Sequence, residues 1–152
     1  MKFEVSSKIE ISTEEIGAML TMEGVNMELS PLVRMTAPVE WARQPIYDWP
    51  VGEKLFVSWI LLFGIIPIDR HRFFFKSVDH LHGFVEESNS LSNKLWRHHR
   101  DISISGATCQ ITDTVDFQCR LPFLAYILAP VYRFVFRHRH RVLRSRYGES
   151  NS

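Results

Sequence analysis

Candidate chemistry in this sequence is concentrated in two neighbouring segments that are predicted to pair as strands. In the second segment alternate residues from Cys109 to Cys119 are apolar, except that Asp113 stands among them. A carboxylate on an apolar face is paired or protonated in a folded protein. In the first segment, His98 and Arg100 lie on one face, where either could pair with Asp113. We therefore expect these three polar side chains to meet in the interior.

The loop between the two strands decides which residue lies opposite Asp113. A two-residue turn at Ser105–Gly106 places His98 there, whereas a longer loop shifts the pairing by two and places Trp96 there. The faces are the same in both cases. In a functional interpretation, His98 and Asp113 form an acid/base pair or a polar anchor for a ligand. In a structural interpretation, Asp113 forms a buried ion pair with Arg100 or His98 that fixes the register.

Other catalytic and metal-binding patterns are missing from the sequence. It contains no HExxH, no G-x-S-x-G and no glycine-rich phosphate loop. His80 and His82 straddle a predicted turn, and His138 and His140 diverge on a predicted helix. No metal and no cofactor is therefore expected.

The two cysteines lie in one predicted strand, about 33 Å apart, and should be free thiols.

Positive charge is concentrated near the C-terminal end. The stretch from Arg133 to Arg146 holds six Arg, two His and no acidic residue, and the rest of the chain has 12 basic and 17 acidic residues. One interpretation is a solvated helix face with cations near the helix C-terminus. The other is contact with anionic lipid headgroups or a phosphate-bearing ligand. Nucleic acid is not expected, because no recognised module is present. The contacting side chains would be Arg133, Arg137, Arg141 and Arg144.

Periodicity predicts an antiparallel meander followed by a long helix. Residues 2–11 alternate as in a half-buried strand. Ser12 and Glu15 form a capping box that begins a short helix, which Gly24 should break. Residues 38–52 have no period, and their aromatic side chains form either a lid over a cavity or a cap on the core. The other predicted elements are a helix at 25–29, strands at 32–36, 55–64, 69–79, 84–88, 94–104 and 107–120, and a helix from about Pro122 to Tyr147.

The long helix is predicted to present one apolar stripe to the sheet, to bend at Pro130 and to end at Gly148. Residues 149–152 are expected to form a frayed tail. The predicted stripe consists of Leu124, Ile127, Leu128, Val131, Val135, His138 and Val142.

This order of elements resembles the helix-grip fold of the START-like superfamily, and four stretches are similar to a bacterial branch of it that has no assigned activity. The stretches are GVNMELSP from Gly24, FVEESNS from Phe84, LWRHHRDI from Leu95 and FRHRHRVL from Phe136. The resemblance implies a single α+β domain over 1–148, with a curved antiparallel sheet of six to seven strands wrapped around the C-terminal helix. It also implies a hydrophobic cavity between sheet and helix.

Together these observations predict binding of an apolar or amphipathic small molecule (a lipid, a quinone or a polyketide-like compound) in that cavity. The alternative is an enzyme of the cyclase/dehydratase type, in which His98 and Asp113 move protons on a carbonyl compound. Met1 leads directly into a charged segment without a signal-peptide pattern, so a cytoplasmic location is expected. The predicted ligand contacts are Trp41, Trp59, Phe73, Phe75, Trp96, His98, Arg100, Asp113, Phe117, Val131 and Val135.

Overall fold

A computed structural model describes residues 1–150, and these residues form a curled, seven-stranded antiparallel sheet with four helices. The strands are β1 (Lys2–Glu10), β2 (Val33–Met35), β3 (Lys54–Leu62), β4 (Ile66–Asp79), β5 (Gly83–Ser90), β6 (Asn93–Ser105) and β7 (Thr108–Cys119). The helices are α1 (Thr13–Met19), α2 (Met22–Leu29), α3 (Val39–Ala42) and α4 (Leu124–Tyr147). The strand order is β1-β7-β6-β5-β4-β3-β2. The predicted fold class, a sheet with two short helices after its first strand and a long C-terminal helix, is confirmed.

The two short helices are set by side-chain caps. The predicted capping box is present, with Ser12 Oγ accepting from the Glu15 N–H at 3.3 Å. The break between the helices falls at Thr21, whose hydroxyl accepts from the Gly24 N–H at 2.9 Å. Gly24 therefore lies inside α2, and the prediction that it ends a helix is wrong. A Cβ at this position would stand 2.6 Å from the Ala18 carbonyl oxygen. The glycine therefore allows α2 to pack closely against α1.

The aromatic segment 38–52 caps the core. It contains α3 and a single 3₁₀ turn at Ile46–Asp48, which the sequence did not predict. Trp49 is 3% exposed, and its ring contacts those of Trp41 and Phe73 edge-to-face at 5.9 Å. These contacts favour the core-cap interpretation of the segment over the lid.

The β6–β7 register differs from the prediction by two residues. The turn is Gly106–Ala107, in which Gly106 has a positive φ of 62°, as the first central position of a type II′ turn requires. Arg100 therefore lies directly opposite Asp113, and neither His98 nor Trp96 does. The prediction that the three polar side chains share one face is confirmed, because a shift of two preserves the face.

Helix α4 packs on the sheet with a different face from the predicted stripe. Ala129 and Phe136 are buried against Phe117, whereas Ile127 of the predicted stripe is exposed. Polar residues also turn inward, because buried carboxylates accept their hydrogen bonds. The buried residues of α4 are Ala129, Phe136, Arg139, His140 and Leu143.

The end of the chain follows α4 back along β1. Gly148, with a φ of 84°, ends the helix as predicted, and its N–H donates to the Arg144 carbonyl. The Ser150 N–H then donates to the Lys8 carbonyl at 3.0 Å, so positions 149 and 150 pair with β1 rather than fray. Residues 151 and 152 of the expected frayed tail lie outside the described residues. Cys109 and Cys119 are buried free thiols on β7, as expected.

Within residues 1–150, no helix combines the length and the hydropathy that a membrane crossing requires.

Candidate functional site

A cavity of about 260 Å³ lies between the inner face of the sheet, α2 and the middle of α4. Ile68 on β4 and Val131 on α4 belong to its lining and are 52% and 48% exposed, so the cavity is open on their side. Most of the lining is apolar. Its aromatic members are Phe73, Phe75, Phe84, Trp96, Tyr132 and Phe136.

The predicted ligand contacts divide into two groups. Those that line the cavity are Phe73, Phe75, Trp96, His98, Val131 and Val135. Those that the structure places outside its lining are Trp41, Trp59, Arg100, Asp113 and Phe117. Trp59 is exposed beneath the Arg70 guanidinium, and Phe117 is enclosed in the core between sheet and helix. Contact of the first group with a ligand stays a prediction.

His71 and Glu86 are neighbouring polar side chains in the lining of the cavity, and Ser88 lies beside them. His71 Nε2 on β4 donates to Glu86 Oε2 on β5 at 2.5 Å, and the Ser88 hydroxyl donates to the same oxygen. All three are buried. Burial opposes ionisation of Glu86, but His71, His98 and the Ser88 hydroxyl together outweigh it, with His71 contributing most, and the pKa of Glu86 is lowered. Glu86 is therefore an ionised carboxylate in a mostly apolar cavity.

His98 connects this wall to the charges behind it. Its Nε2 lies 2.8 Å from Asp113 Oδ1, and its Nδ1 lies 3.9 Å from Glu86 Oε1. The rings of Phe84 and Phe136 meet the imidazole edge-to-face at 5.0 Å. Burial lowers the pKa of His98, and the opposing attraction of Asp113 does not restore it. The neutral imidazole is therefore favoured near pH 7.

Asp113 is held as a carboxylate by three donors. Arg100 contacts both of its oxygens, with Nε 2.8 Å from Oδ1 and Nη2 2.7 Å from Oδ2. His140 Nε2 donates to Oδ2 at 2.8 Å. Burial alone would raise the pKa of Asp113, but the Arg100 guanidinium holds it well below the usual value. Asp113 is fully buried behind the cavity wall, which favours the structural interpretation of its charge.

Glu28 on α2 completes this buried network. Arg100 Nη1 and Nη2 donate to its two oxygens at 2.9 and 2.8 Å, and Arg139 Nε donates to Oε1 at 3.1 Å. Burial opposes ionisation, yet the two guanidinium groups lower the pKa of Glu28. The network thus ties α2, β6, β7 and α4 together directly behind the cavity.

A serine, a histidine and an aspartate also meet in the order of a catalytic triad, but without access to the cavity. Ser7 Oγ lies 2.8 Å from His140 Nδ1, and His140 in turn contacts Asp113. The Ser7 hydroxyl accepts a hydrogen bond from Arg144 Nη1 at 2.7 Å. All three members are buried and none lines the cavity. This chain of contacts therefore joins β1, β7 and α4 structurally.

The lining of the cavity includes a second polar group, formed by Asn93 on β6 and Tyr132 on α4. The Asn93 amide donates to the Tyr132 hydroxyl at 2.8 Å. Burial raises the pKa of Tyr132 to about 12, so the phenol keeps its proton at neutral pH. Asp69 Oδ1 is occupied by the backbone N–H groups of Arg70 and Leu91.

Several site residues were missed by the sequence-based reasoning, and some had a detectable signal. His71 alternates with Phe73 and Phe75, and Glu86 alternates with Phe84, so a period of two places both on the cavity wall. Glu28 and Arg139 had no such signal. The short α2 has too few turns to define a face, and Arg139 is hidden within a basic run. Within the described part of the chain, no cluster of His, Cys, Asp and Glu could hold a metal ion.

Solved structures with very different sequences share this fold. A protein from Chromobacterium violaceum superposes with a TM-score of 0.71 at 8% identity, covering 99% of both chains. A START superfamily protein from Mycobacterium smegmatis gives 0.63 at 8% identity over 96% of both chains. An aromatase/cyclase from a Streptomyces species gives 0.64 at 11% identity, covering 94% of this chain and 90% of that one. These likenesses show that the chain has the START-like fold, as predicted.

Comparison of the sequence alone finds fewer relatives than comparison of the fold. No curated protein matches it. A family model described as "Domain of unknown function (DUF8410)" matches residues 7–147. Since this match spans nearly all of the sheet and α4, the chain belongs to the DUF8410 family.

Proposed function

We propose that the protein binds a small apolar or amphipathic molecule in the cavity between the sheet and α4. The observation that carries the proposal is the composition of the wall, in which aromatic rings surround a small number of buried polar groups, among them the hydrogen-bonded pair of His71 and Glu86. Ligand sites typically combine an apolar lining with a few fixed polar groups that orient the ligand. Such a wall supplies affinity through its rings and orientation through the pair.

The size of the cavity limits the ligand. Its volume of about 260 Å³ is just below the ~300–1,000 Å³ of common small-molecule sites, so a long lipid would extend through the open side. Each Å² of apolar ligand surface removed from water contributes about 25 cal/mol. Affinity would therefore rise with the apolar body of the ligand until the space between Phe73 and Val135 is filled.

Binding is tested with apolar fluorescent probes and one cavity-filling variant. Val135→Trp on α4 places an indole in the cavity, and the matched control, Phe134→Trp, changes an exposed neighbour on the same helix. We expect the wild type and Phe134→Trp to bind the same probes, and Val135→Trp to bind them at least about tenfold more weakly. Equal binding by all three proteins would show that the probes bind outside the cavity.

Proton transfer on a bound carbonyl compound is the second candidate, and its supporting observation is the short contact between His71 and Glu86. A histidine held by an ionised carboxylate is a suitable general base. Asp113 is a poor choice for this role, because Arg100 occupies both of its oxygens away from the cavity. The test is deuterium exchange next to the carbonyl of phenylbutanone in D₂O. Faster exchange with the wild type than with His71→Gln supports an enzyme, and equal exchange counts against one.

A further inference from the structure

Two hydrogen-bond acceptors converge at the buried end of the cavity. Glu86 Oε1 and His98 Nδ1 lie 3.9 Å apart, on residues that are only 4% and 3% exposed. Neither atom takes part in a hydrogen bond within residues 1–150, whereas the second polar atom of each side chain does. No polar side-chain atom that is sealed inside the described protein lacks a partner. Both atoms therefore face the cavity that they line.

The hydrogen on His98 is placed by its neighbour. Nε2 lies 2.8 Å from Asp113 Oδ1, an oxygen that also accepts from Arg100 Nε. A carboxylate in this position only accepts, so Nε2 of His98 carries the hydrogen. In the neutral ring, Nδ1 then carries no hydrogen, and its lone pair can only accept a hydrogen bond. Because burial lowers the pKa of His98, the neutral ring is the favoured form.

Glu86 is likewise an acceptor on its free side. Its Oε2 takes the hydrogens of His71 Nε2 and the Ser88 hydroxyl, which leaves Oε1 to the cavity. Two acceptors at 3.9 Å cannot bond to each other, but one donor atom at about 2.8–3.0 Å can serve both. That atom must carry two hydrogens. A water molecule and an ammonium group both meet this requirement, whereas a hydroxyl has one hydrogen, and a carboxylate has none and would be repelled.

Formal charge near the site favours a positively charged donor. In the cavity and in the network behind it, four carboxylates face two guanidinium groups and the imidazole of His71, which pairs with Glu86, and a cation near Glu86 reduces the remaining excess of acidic groups. The carboxylates are Glu28, Asp69, Glu86 and Asp113, and the guanidinium groups are those of Arg100 and Arg139.

We infer that the cavity accepts an amphipathic primary amine, whose ammonium group donates to both Glu86 Oε1 and His98 Nδ1 while its apolar body lies among the aromatic rings. This inference rests on the proposed function, since it names the class of ligand that the same cavity takes. Charge-assisted hydrogen bonds to a buried carboxylate are about twice as strong as neutral ones. The ammonium group therefore provides selectivity in addition to the affinity from the apolar body.

The test compares three probes that differ only in their polar end, namely phenylbutylamine, phenylbutanol and phenylbutyrate. Their dissociation constants are measured by calorimetry with the wild type, with Glu86→Gln and with Glu87→Gln. Glu87 is the matched control, because it lies on the outer face of the same strand and pairs with Arg97. The cavity-filling variant Val135→Trp separates binding in the cavity from adsorption elsewhere.

We expect the wild type and Glu87→Gln to bind the amine at least about tenfold more tightly than the alcohol, and the carboxylate most weakly. Glu86→Gln should lose this order, with the three probes within a few-fold of one another. Equal wild-type affinity for amine and alcohol, both lost in Val135→Trp, would overturn the amine inference and leave the binding function standing. Absence of any binding that Val135→Trp abolishes would overturn both. The wild-type comparison decides even if Glu86→Gln does not fold.

Discussion

Arg100 on β6 lies directly opposite Asp113 on β7, and its guanidinium joins that carboxylate to Glu28 on α2. The four hydrogen bonds measure 2.7–2.9 Å. The three side chains are at most 1% exposed. Because Arg100 is shared, neither carboxylate is left without a cation in the interior. This arrangement fixes α2 against the sheet and so supports the cavity wall from behind.

Removing Arg100 should unfold the protein or nearly so. Arg100→Ala leaves Glu28 and Asp113 buried with much less compensating charge, and breaking a buried ion pair on one side costs about 3–5 kcal/mol. Urea denaturation followed by tryptophan fluorescence measures the loss. The matched control is Arg97→Ala on the same strand, where the Arg97 side chain is 46% exposed and pairs with Glu87. The control should cost no more than about 1 kcal/mol, and an equal loss in both variants would contradict the network's role.

Acid should destabilise the protein in two stages. The pKa of His98 is lowered from 6.5, so below this pH the unfolded chain takes up a proton that the folded protein refuses. The carboxyl pKa values of Glu28 and Asp113 are lowered from 4.5 and 3.8, so their stabilisation is present above these values and is lost as pH falls towards the folded pKa. Each group contributes a slope of up to about 1.4 kcal/mol per pH unit.

The measurement for this prediction is the free energy of unfolding in urea from about pH 7 to about pH 3. The variant His98→Gln should keep the lower stage and lose the upper one. Stability that rises as the pH falls through this range would contradict the signs of the shifts.

Gly83 should be the glycine that least tolerates a side chain. It has a φ of 103°, and a Cβ there would lie 1.9 Å from the Arg100 carbonyl oxygen. Gly52, with a φ of 78° and open space around it, is the matched control. Gly52→Ala should cost about 1–2 kcal/mol from its backbone alone. Gly83→Ala should cost more, because β6 must also move at Arg100, and equal urea midpoints would contradict this.

The basic face of α4 remains a proposed contact for anionic headgroups. Arg133, Arg137 and Arg141 are exposed, whereas Arg144 is half-buried and bonded to Ser7. Arg133→Glu with Arg137→Glu should weaken cosedimentation with vesicles rich in phosphatidylserine at least about tenfold, since each cation near such a surface contributes about 1 kcal/mol. Vesicles of phosphatidylcholine alone are the control. Unchanged binding to the anionic vesicles would remove these arginines from the interface.

Local pattern predicted most of the fold but not the details of the site. Alternation in β1 and β7 and the 3.6-residue period of α4 are properties of short windows, and the capping box at Ser12 marks a helix start within four residues. The β6–β7 register depends on which two residues form the turn, and moving the turn by one residue shifts every pair by two. The position of Gly106 as the first turn residue, which a type II′ turn favours, was the sequence signal that could have placed the turn.

The buried network was predicted only where a polar residue interrupts an apolar strand. Asp113 stands out on β7, and it led correctly to His98 and Arg100. Glu28 lies 72 positions before Arg100, and its contact depends on how α2 packs on the sheet. Arg139 belongs to a run that is basic on every side of the helix, so composition could not separate the inward guanidinium from the solvated ones.

The most direct test of ligand binding in the cavity is mass spectrometry of the purified protein, first in its native state and then after solvent extraction. We expect a stoichiometric small molecule with an apolar body on the wild type and on Phe134→Trp, and its loss in Val135→Trp. A wild-type mass without adduct, together with no uptake from a panel of hydrophobic compounds, would contradict the claim that this cavity binds a small molecule.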